Sequence, residues 1–324
     1  MLVSIILPTL RTGSVGAAIE AVLGQTVDDW ELIVVPQGDD QQLTSLLAGY
    51  AERDPRVRVV HTPTRGLSHA RNVGTEVAQG DILAFTDDDC EVAPDWVEVI
   101  QEIFTEHPDV GVAGGEVVAQ PNDTWWRIST CPAAHVIDAK YRPVEDGWRA
   151  PDGFYMIGAN IVVRRSIADR VGKWDDVFGA GRRYGACEDQ DFISRAEALG
   201  VSLLTTPRLV VHHTTGRRYG WRDFVKHQRN YARGRGAWRA KLRLWGHPVM
   251  QIWDTESGPP SPKMLFTRPH KWLLGRFEWH HIQLAEHEYH ARYVLGDDVV
   301  THPRPAPSHP AVAAVPAGAE ASKQ

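Results

Sequence analysis

Three consecutive carboxylates, Asp87, Asp88 and Asp89, follow the apolar run Ile82–Phe85, which reads as a buried strand. Like charges at a strand end repel one another unless a cation sits among them. A divalent metal with oxygen ligands, shared with a phosphate-bearing substrate, is the usual reason for such a cluster, and a solvated acidic turn is the bland alternative. A second acidic group, Glu188-Asp189-Gln190-Asp191, opens a helix-like stretch in which Phe192 and Ala196 mark an apolar face and Arg195 a polar one. Asp189 in that place could equally be a helix N-cap. Upstream, the segment from Arg65 to Gly74 puts Arg71 and Asn72 near the first turn of a helix, where backbone amides and dipole favour a phosphate. For Arg71 a surface ion pair is the structural alternative.

These residues need a frame. Apolar runs at 3–7, 31–35, 57–60 and 82–86 read as strands, with helix-like stretches at 14–24, 41–51 and 67–78 between them. The alternation argues for βαβ units and a mainly parallel α/β sheet, whose ligands sit at the carboxyl ends of the strands. Pro8, Pro36, His61 and Asp87 all fall there. In the third helix Ala70, Val73 and Val77 form an inward stripe, while Ser68, Asn72 and Thr75 share another face.

The series Val3–Thr9, then GLSxARNxG from Gly66, GDxLAFTDDDC from Gly80, GANxxxRR from Gly158 and EDxDFxxR from Glu188 resembles the family 2 glycosyltransferases. These enzymes move a sugar from a nucleotide donor. The likeness runs to about His213, and it implies a GT-A type, Rossmann-like sheet flanked by helices. It further implies Mg2+ or Mn2+ held by Asp87 and Asp89, with Asp89 the principal carboxylate, and a histidine after the next strand. Leu209-Val210-Val211-His212-His213 offers two, of which His212 is favoured and His213 is the alternative. Asp189 would take the acceptor proton in a direct, inverting displacement, and Glu188 would position the site or the acceptor. The candidate donor contacts are Pro8, Thr9, Gln37, Asp39, Arg65, Arg71, Asn72, Asp87, Asp88 and Asn160. One departure matters, because Pro36 stands where relatives carry a base-reading carboxylate. Gln37 and Asp39 remain to meet the base and ribose, and UDP, dTDP and GDP donors all stay open. Lys173 and Trp174 depart from the GGFDE-like turn, and Trp174 could as easily be core.

With 43% hydrophobic and 23% charged residues among 324, the chain is ordinary globular material, with length for one large α/β domain and an appendage. No eighteen-residue apolar run appears and the sequence opens on a core strand, so a cytoplasmic chain without signal peptide or span is expected. Cys90, Cys131 and Cys187 form no metal pattern and read as reduced thiols. The net charge of −6 hides a divide, since residues 207–276 carry fifteen Lys and Arg against Asp223, Asp254 and Glu256. That asymmetry suggests an anionic partner.

The expected divisions are a catalytic domain over 1–215, a basic, mainly helical appendage over 216–301 and a disordered Pro/Ala-rich tail over 302–324. Residues 221–245 interleave aromatics with Arg and Lys as an interfacial helix does, although Gly234 and Gly236 weaken one continuous helix, and a solvated basic helix is the alternative. The expected partners are a nucleotide sugar, a glycan, lipid-linked or natural-product hydroxyl, and an anionic membrane at its inner face, with a homodimer compatible and no nucleic acid. The loop Pro121–Trp126 is read as acceptor-side structure. His280, His281, His287 and His290 have spacings open to a metal on a helix, although a surface helix explains them as well. Two rivals stand beside the transferase, an inactive sugar-nucleotide binder and a nucleotidyltransferase, the latter with only Leu10–Ser14 as a phosphate loop. No GxGxxG follows strand one, which argues against a dehydrogenase.

Overall fold

A computed structural model describes residues 1–119, 128–130, 133–214, 217–250, 259–297 and 299–303. Four parallel strands, β1 (Val3–Thr9), β2 (Trp30–Pro36), β3 (Val57–Val59) and β4 (Ile82–Phe85), form one half of a nine-stranded sheet. The other half contains β5 (Cys90–Val92), β6 (Val110–Ala119), β9 (Ile161–Arg164) and β10 (Ser202–His213), in the overall order β3-β2-β1-β4-β9-β6-β10-β5. A short β8 (Ala139–Tyr141) also pairs with β10. Strand β9 runs antiparallel between β4 and β6, so the sheet is mixed rather than purely parallel. Short β7 (Ile128–Thr130) pairs with β11 (Arg217–Tyr219) away from this sheet.

Both faces of the sheet are covered, which is why β1, β2 and β4 read as unbroken apolar runs. On one face α1 (Thr12–Leu23), α2 (Gln41–Arg53) and α4 (Trp96–Glu106) bury Val15, Ile19, Leu43, Trp96 and Ile100. On the other, α3 (Leu67–Val77), α5 (Arg165–Val171) and α6 (Glu188–Ala198) bury Ala70, Ala168, Phe192 and Ala196. Trp174 belongs to this second core, stacked on Phe192 at 4.4 Å and edge-on to Phe85 at 4.9 Å.

After the sheet, α7 (Trp221–Trp245) is one continuous helix, packed along α9 (Pro269–Arg292). Its two glycines are contact points rather than breaks. A Cβ on Gly236 would collide with the carbonyl of Ile282, and one on Gly234 would press on Ala186 at 2.9 Å. Close packing thus replaces the helix propensity that glycine lacks. Ala237, Trp238, Ala240 and Leu242 of α7 share a core with Phe178 and Tyr184, joining the C-terminal helices to the sheet domain.

The second half of α7 pairs its charges internally. Lys241, 1% exposed, lies 2.8 Å from Asp175 and 2.5 Å from Asp191, while Arg233, Arg235 and Arg239 pair with Glu288, Glu278 and Glu286. In the first half Arg222, Lys226 and Arg229 are exposed, beside Trp221, which is 70% exposed. Strand β12 (Tyr293–Leu295) pairs with β13 (Thr301–Pro303), and Thr301 donates its backbone N–H to Asp175. The Pro121–Trp126 loop and residues 304–324 lie outside the described residues.

Candidate active site

The triplet sits where β4 ends beside β1. Asp88 is buried and accepts hydrogen bonds from the Thr9 hydroxyl at 2.8 Å and the Leu10 amide at 3.2 Å. Burial pushes its carboxyl up, opposed by the charge of Arg11. Arg11 places Nη1 2.6 Å from Asp89 and 3.6 Å from Asp88, so a guanidinium supplies the cation that three carboxylates demand. In the sequence Arg11 falls within Leu10–Ser14, read only as a thin phosphate loop, and nothing there marked it as the partner of the triplet.

Which histidine meets the triplet is decided by register. Strand β10 pairs antiparallel with β5 so that His213 stands opposite Cys90 and His212 opposite Glu91. Leu209, Val211 and His213 share the buried face, leaving His212 exposed. Of the two histidines, His213 is the one beside the triplet, its Nε2 3.5 Å from Asp89 Oδ1. Asp89, Cys90 and His213 are all buried, and their potential ligand atoms lie within 4.8 Å of one another. A carboxylate facing an imidazole fits a divalent ion such as Mn2+. Burial and the charges of Asp87 and Asp89 hold the Cys90 thiol well above its ordinary value, which disfavours the thiolate that a softer metal would select. Among the described residues, the histidines of 277–295 form no such group.

Arg71 links this corner to the second acidic cluster. Its guanidinium, 0% exposed, lies 3.3 Å from Asp87 and 3.4 Å from Glu188, and donates to the Gly158 carbonyl at 3.0 Å. It also lies over the Trp174 ring at 4.7 Å. A surface ion pair does not describe it, because the guanidinium is buried and bonds within the chain. Asn72 is likewise engaged, exchanging two hydrogen bonds with the backbone of Trp174 at 2.8 and 2.9 Å.

Glu188 and Asp189 start α6 after Cys187, which adopts φ 70°, a left-handed conformation unusual outside glycine. Asp189 accepts the Gly158 N–H at 2.9 Å with one oxygen and the Gln190 N–H at 2.8 Å with the other. Gly158 is thereby shared, its carbonyl taken by Arg71 and its amide by Asp189. Burial raises both carboxyls, and with the neighbouring charge of Asp189 it pushes Glu188 up to about 7. Raised carboxyls suit proton transfer near neutrality.

Other candidates lie farther along the strand ends. Gln37 is buried and its carbonyl accepts the Gly66 N–H at 2.7 Å. Beyond it an open polar cleft is lined by Gly38, Asp39, Asp40, Pro63 and Arg65, with Asp39 exposed. Pro8 lies buried inside β1, and Thr9 holds Asp88. Asn160, 0% exposed, donates to the carbonyls of Glu116 and Leu209 and accepts from the Trp96 indole. Its polar atoms tie β6, β10 and α4 together.

A mixed α/β sheet with two acidic clusters joined at its ligand-binding edge is the framework of a GT-A type sugar transferase. Residues 4–172 match the model of Glycosyl transferase family 2, more than half of the chain, and the chain belongs to that family. That membership argues against the nucleotidyltransferase alternative. Among curated relatives, a glucosyl-dolichyl phosphate glucuronosyltransferase of Haloferax volcanii is 32% identical over 127 residues, covering 36% of this chain and 41% of that protein. The uncharacterized glycosyltransferase YibD of Escherichia coli is 32% identical over 130 residues, covering 39% and 38%. The chain thus spans about two fifths of the length of these relatives. A mannosyltransferase from Pyrobaculum calidifontis, solved with GDP-Man and Mn2+, superposes with a TM-score of 0.58 at 17% identity, covering 89% of this chain and 86% of that one. S. aureus TarS superposes with a TM-score of 0.52 at 15% identity, covering 72% and 39%. These structures share the fold.

Proposed function

We propose that this enzyme transfers a sugar from a nucleoside diphosphate to a hydroxyl acceptor by direct displacement with inversion, Asp189 acting as the base. The observation that carries the reading is the Arg71 clamp, which holds Asp87 of one acidic cluster and Glu188 of the other on a single guanidinium. Asp189 then lies on the same frame as the donor corner, and direct displacement requires base and donor to be aligned.

Asp89 and His213 would hold the divalent ion, with Asp87 beside it, and Mn2+ or Mg2+ bound there would neutralise the leaving diphosphate. The chain's own groups do the rest. Asp39 and Arg65, in the cleft beyond β2, receive the nucleoside end of the donor. Asp189, its carboxylate oriented by Gly158, accepts the proton from the attacking hydroxyl, and Glu188 positions the acceptor. The Pyrobaculum neighbour's complex supports Mn2+ and a GDP-linked donor as the first to try, with UDP and dTDP donors next. The name of the Haloferax relative supports a lipid-phosphate-linked acceptor and hence work at a membrane surface. No described helix is long and apolar enough to cross a membrane.

A donor panel with Mn2+, read as metal-dependent release of nucleoside diphosphate and by thermal shift, tests the reading. A bound donor at a hundred times its dissociation constant adds about 2.7 kcal/mol of stability. Absence of any metal-dependent stabilisation across GDP, UDP and dTDP sugars would return the chain to a non-catalytic role.

A further inference from the structure

Between Glu256 and Glu278 the sequence holds no acidic residue, yet it carries Lys263, Arg268, Lys271 and Arg276 in a chain of net charge −6. The segment forms α8 (Pro262–Thr267) and the first turns of α9, which pack together beyond the residues matched by the family. All four cations are exposed and none makes an ion pair with a described residue. The C-terminal half of α7 is the reverse, with Arg233, Arg235, Arg239 and Lys241 paired to carboxylates, while Arg222, Lys226 and Arg229 of its N-terminal half are exposed as well. Large apolar side chains stand among the free cations, with Leu273 62% exposed, Leu265 39% and Leu274 36%. Trp272 is half-buried, with the Arg276 guanidinium 5.9 Å from its ring centre.

Exposed leucines are costly in water unless something covers them, and unpaired cations among them select an anionic cover. We propose that the α8–α9 tip docks on an anionic phospholipid bilayer, the leucines entering the headgroup boundary and the four cations meeting lipid phosphates. A polyanion such as nucleic acid would answer the charges and leave the leucines in water. This inference rests on the membrane part of the proposed function and deepens it by placing the contact at the α8–α9 tip.

The test is flotation with vesicles of phosphatidylcholine, alone or mixed with phosphatidylglycerol, at low salt. Wild-type protein should bind the mixed vesicles and release them as salt rises. Replacing the four cations together, Lys263→Gln, Arg268→Gln, Lys271→Gln and Arg276→Gln, should weaken binding at least roughly a hundredfold, from about fivefold per charge at the surface. The pair Leu273→Ser and Leu274→Ser should weaken it with charge unchanged, whereas Arg233→Gln, which removes an internally paired cation, should leave it intact. Thermal unfolding of each variant confirms that the fold survives. Failure of the wild type to prefer anionic vesicles overturns the inference, as does a dimer in solution that the leucine pair disrupts. Nucleotide release is scored on the same samples. Vesicle binding without donor turnover would sink the transferase reading alone, and turnover without vesicle binding would sink the docking alone.

Discussion

His213 and Asp89 face each other with Nε2 3.5 Å from Oδ1, longer than an ordinary hydrogen bond and suited to a shared ion. Removal of either partner should abolish metal-supported nucleotide binding. Asp89→Asn or His213→Ala should weaken Mn2+ binding by roughly ten- to a hundredfold in calorimetry, while His212→Ala, on the exposed face, leaves it unchanged. Equal losses for the two histidines would contradict the register argument.

Arg11 competes with that ion for the same carboxylates, its side chain 40% exposed and free to swing away. Arg11→Met should therefore tighten Mn2+ binding several-fold in the absence of nucleotide, because a full positive charge leaves the corner. Weaker metal binding in a folded Arg11→Met protein would show that Arg11 organises the carboxylates instead of balancing them.

Lys241 ties the C-terminal helices to the catalytic helix through Asp175 and Asp191. Burial works to raise the Asp175 carboxyl, yet Lys241 prevails and holds it below its ordinary value. Lys241→Met should cost roughly 3–5 kcal/mol in chemical denaturation, since it leaves the buried Asp175 without its cation, while Asp191 keeps Arg195 at 3.0 Å. Adding Asp175→Asn should recover part of the loss. A neutral Lys241→Met change would mean that the lysine is dispensable to the fold.

Glu188 gives a pH dependence of defined sign. Its folded value of about 7 exceeds the ordinary 4.5, so its contribution to stability is complete below 4.5 and is lost as pH rises through 7. Between those limits wild-type protein should lose melting temperature relative to Glu188→Gln, each 1 kcal/mol shifting it about 2–4 °C for a domain of 150–250 residues. Parallel melting curves would remove Glu188 from the buried, protonatable state.

The sheet was readable because β1, β2 and β4 are buried on both faces and their apolar runs carry no ambiguity. The antiparallel insertion of β9 was not, since pairing direction leaves no mark on a run of Ile161, Val162 and Val163. At the site, residue types were legible and their partners were not. Leu209, Val210 and Val211 are all apolar, so the phase of β10, and with it the choice of histidine, stayed hidden. Arg71, Asn72 and Asn160 were read as ligand contacts because polar groups near strand ends suit ligands. Each also satisfies backbone or carboxylate groups within the chain, a role set by residues distant in sequence such as Gly158, Trp174 and Leu209. The basic count after Pro207 was correct as a sum but silent on which charges Glu278, Glu286 and Glu288 neutralise.

The most direct test of the account is single-turnover transfer by Asp189→Asn beside wild type, with whichever donor the panel identifies and Mn2+ present. The account predicts donor affinity nearly unchanged, transfer slower by roughly 10²–10⁴-fold, and a wild-type product whose anomeric configuration, read by NMR, is opposite to that of the donor. Retained configuration, or an Asp189→Asn protein that transfers at the wild-type rate, would contradict it.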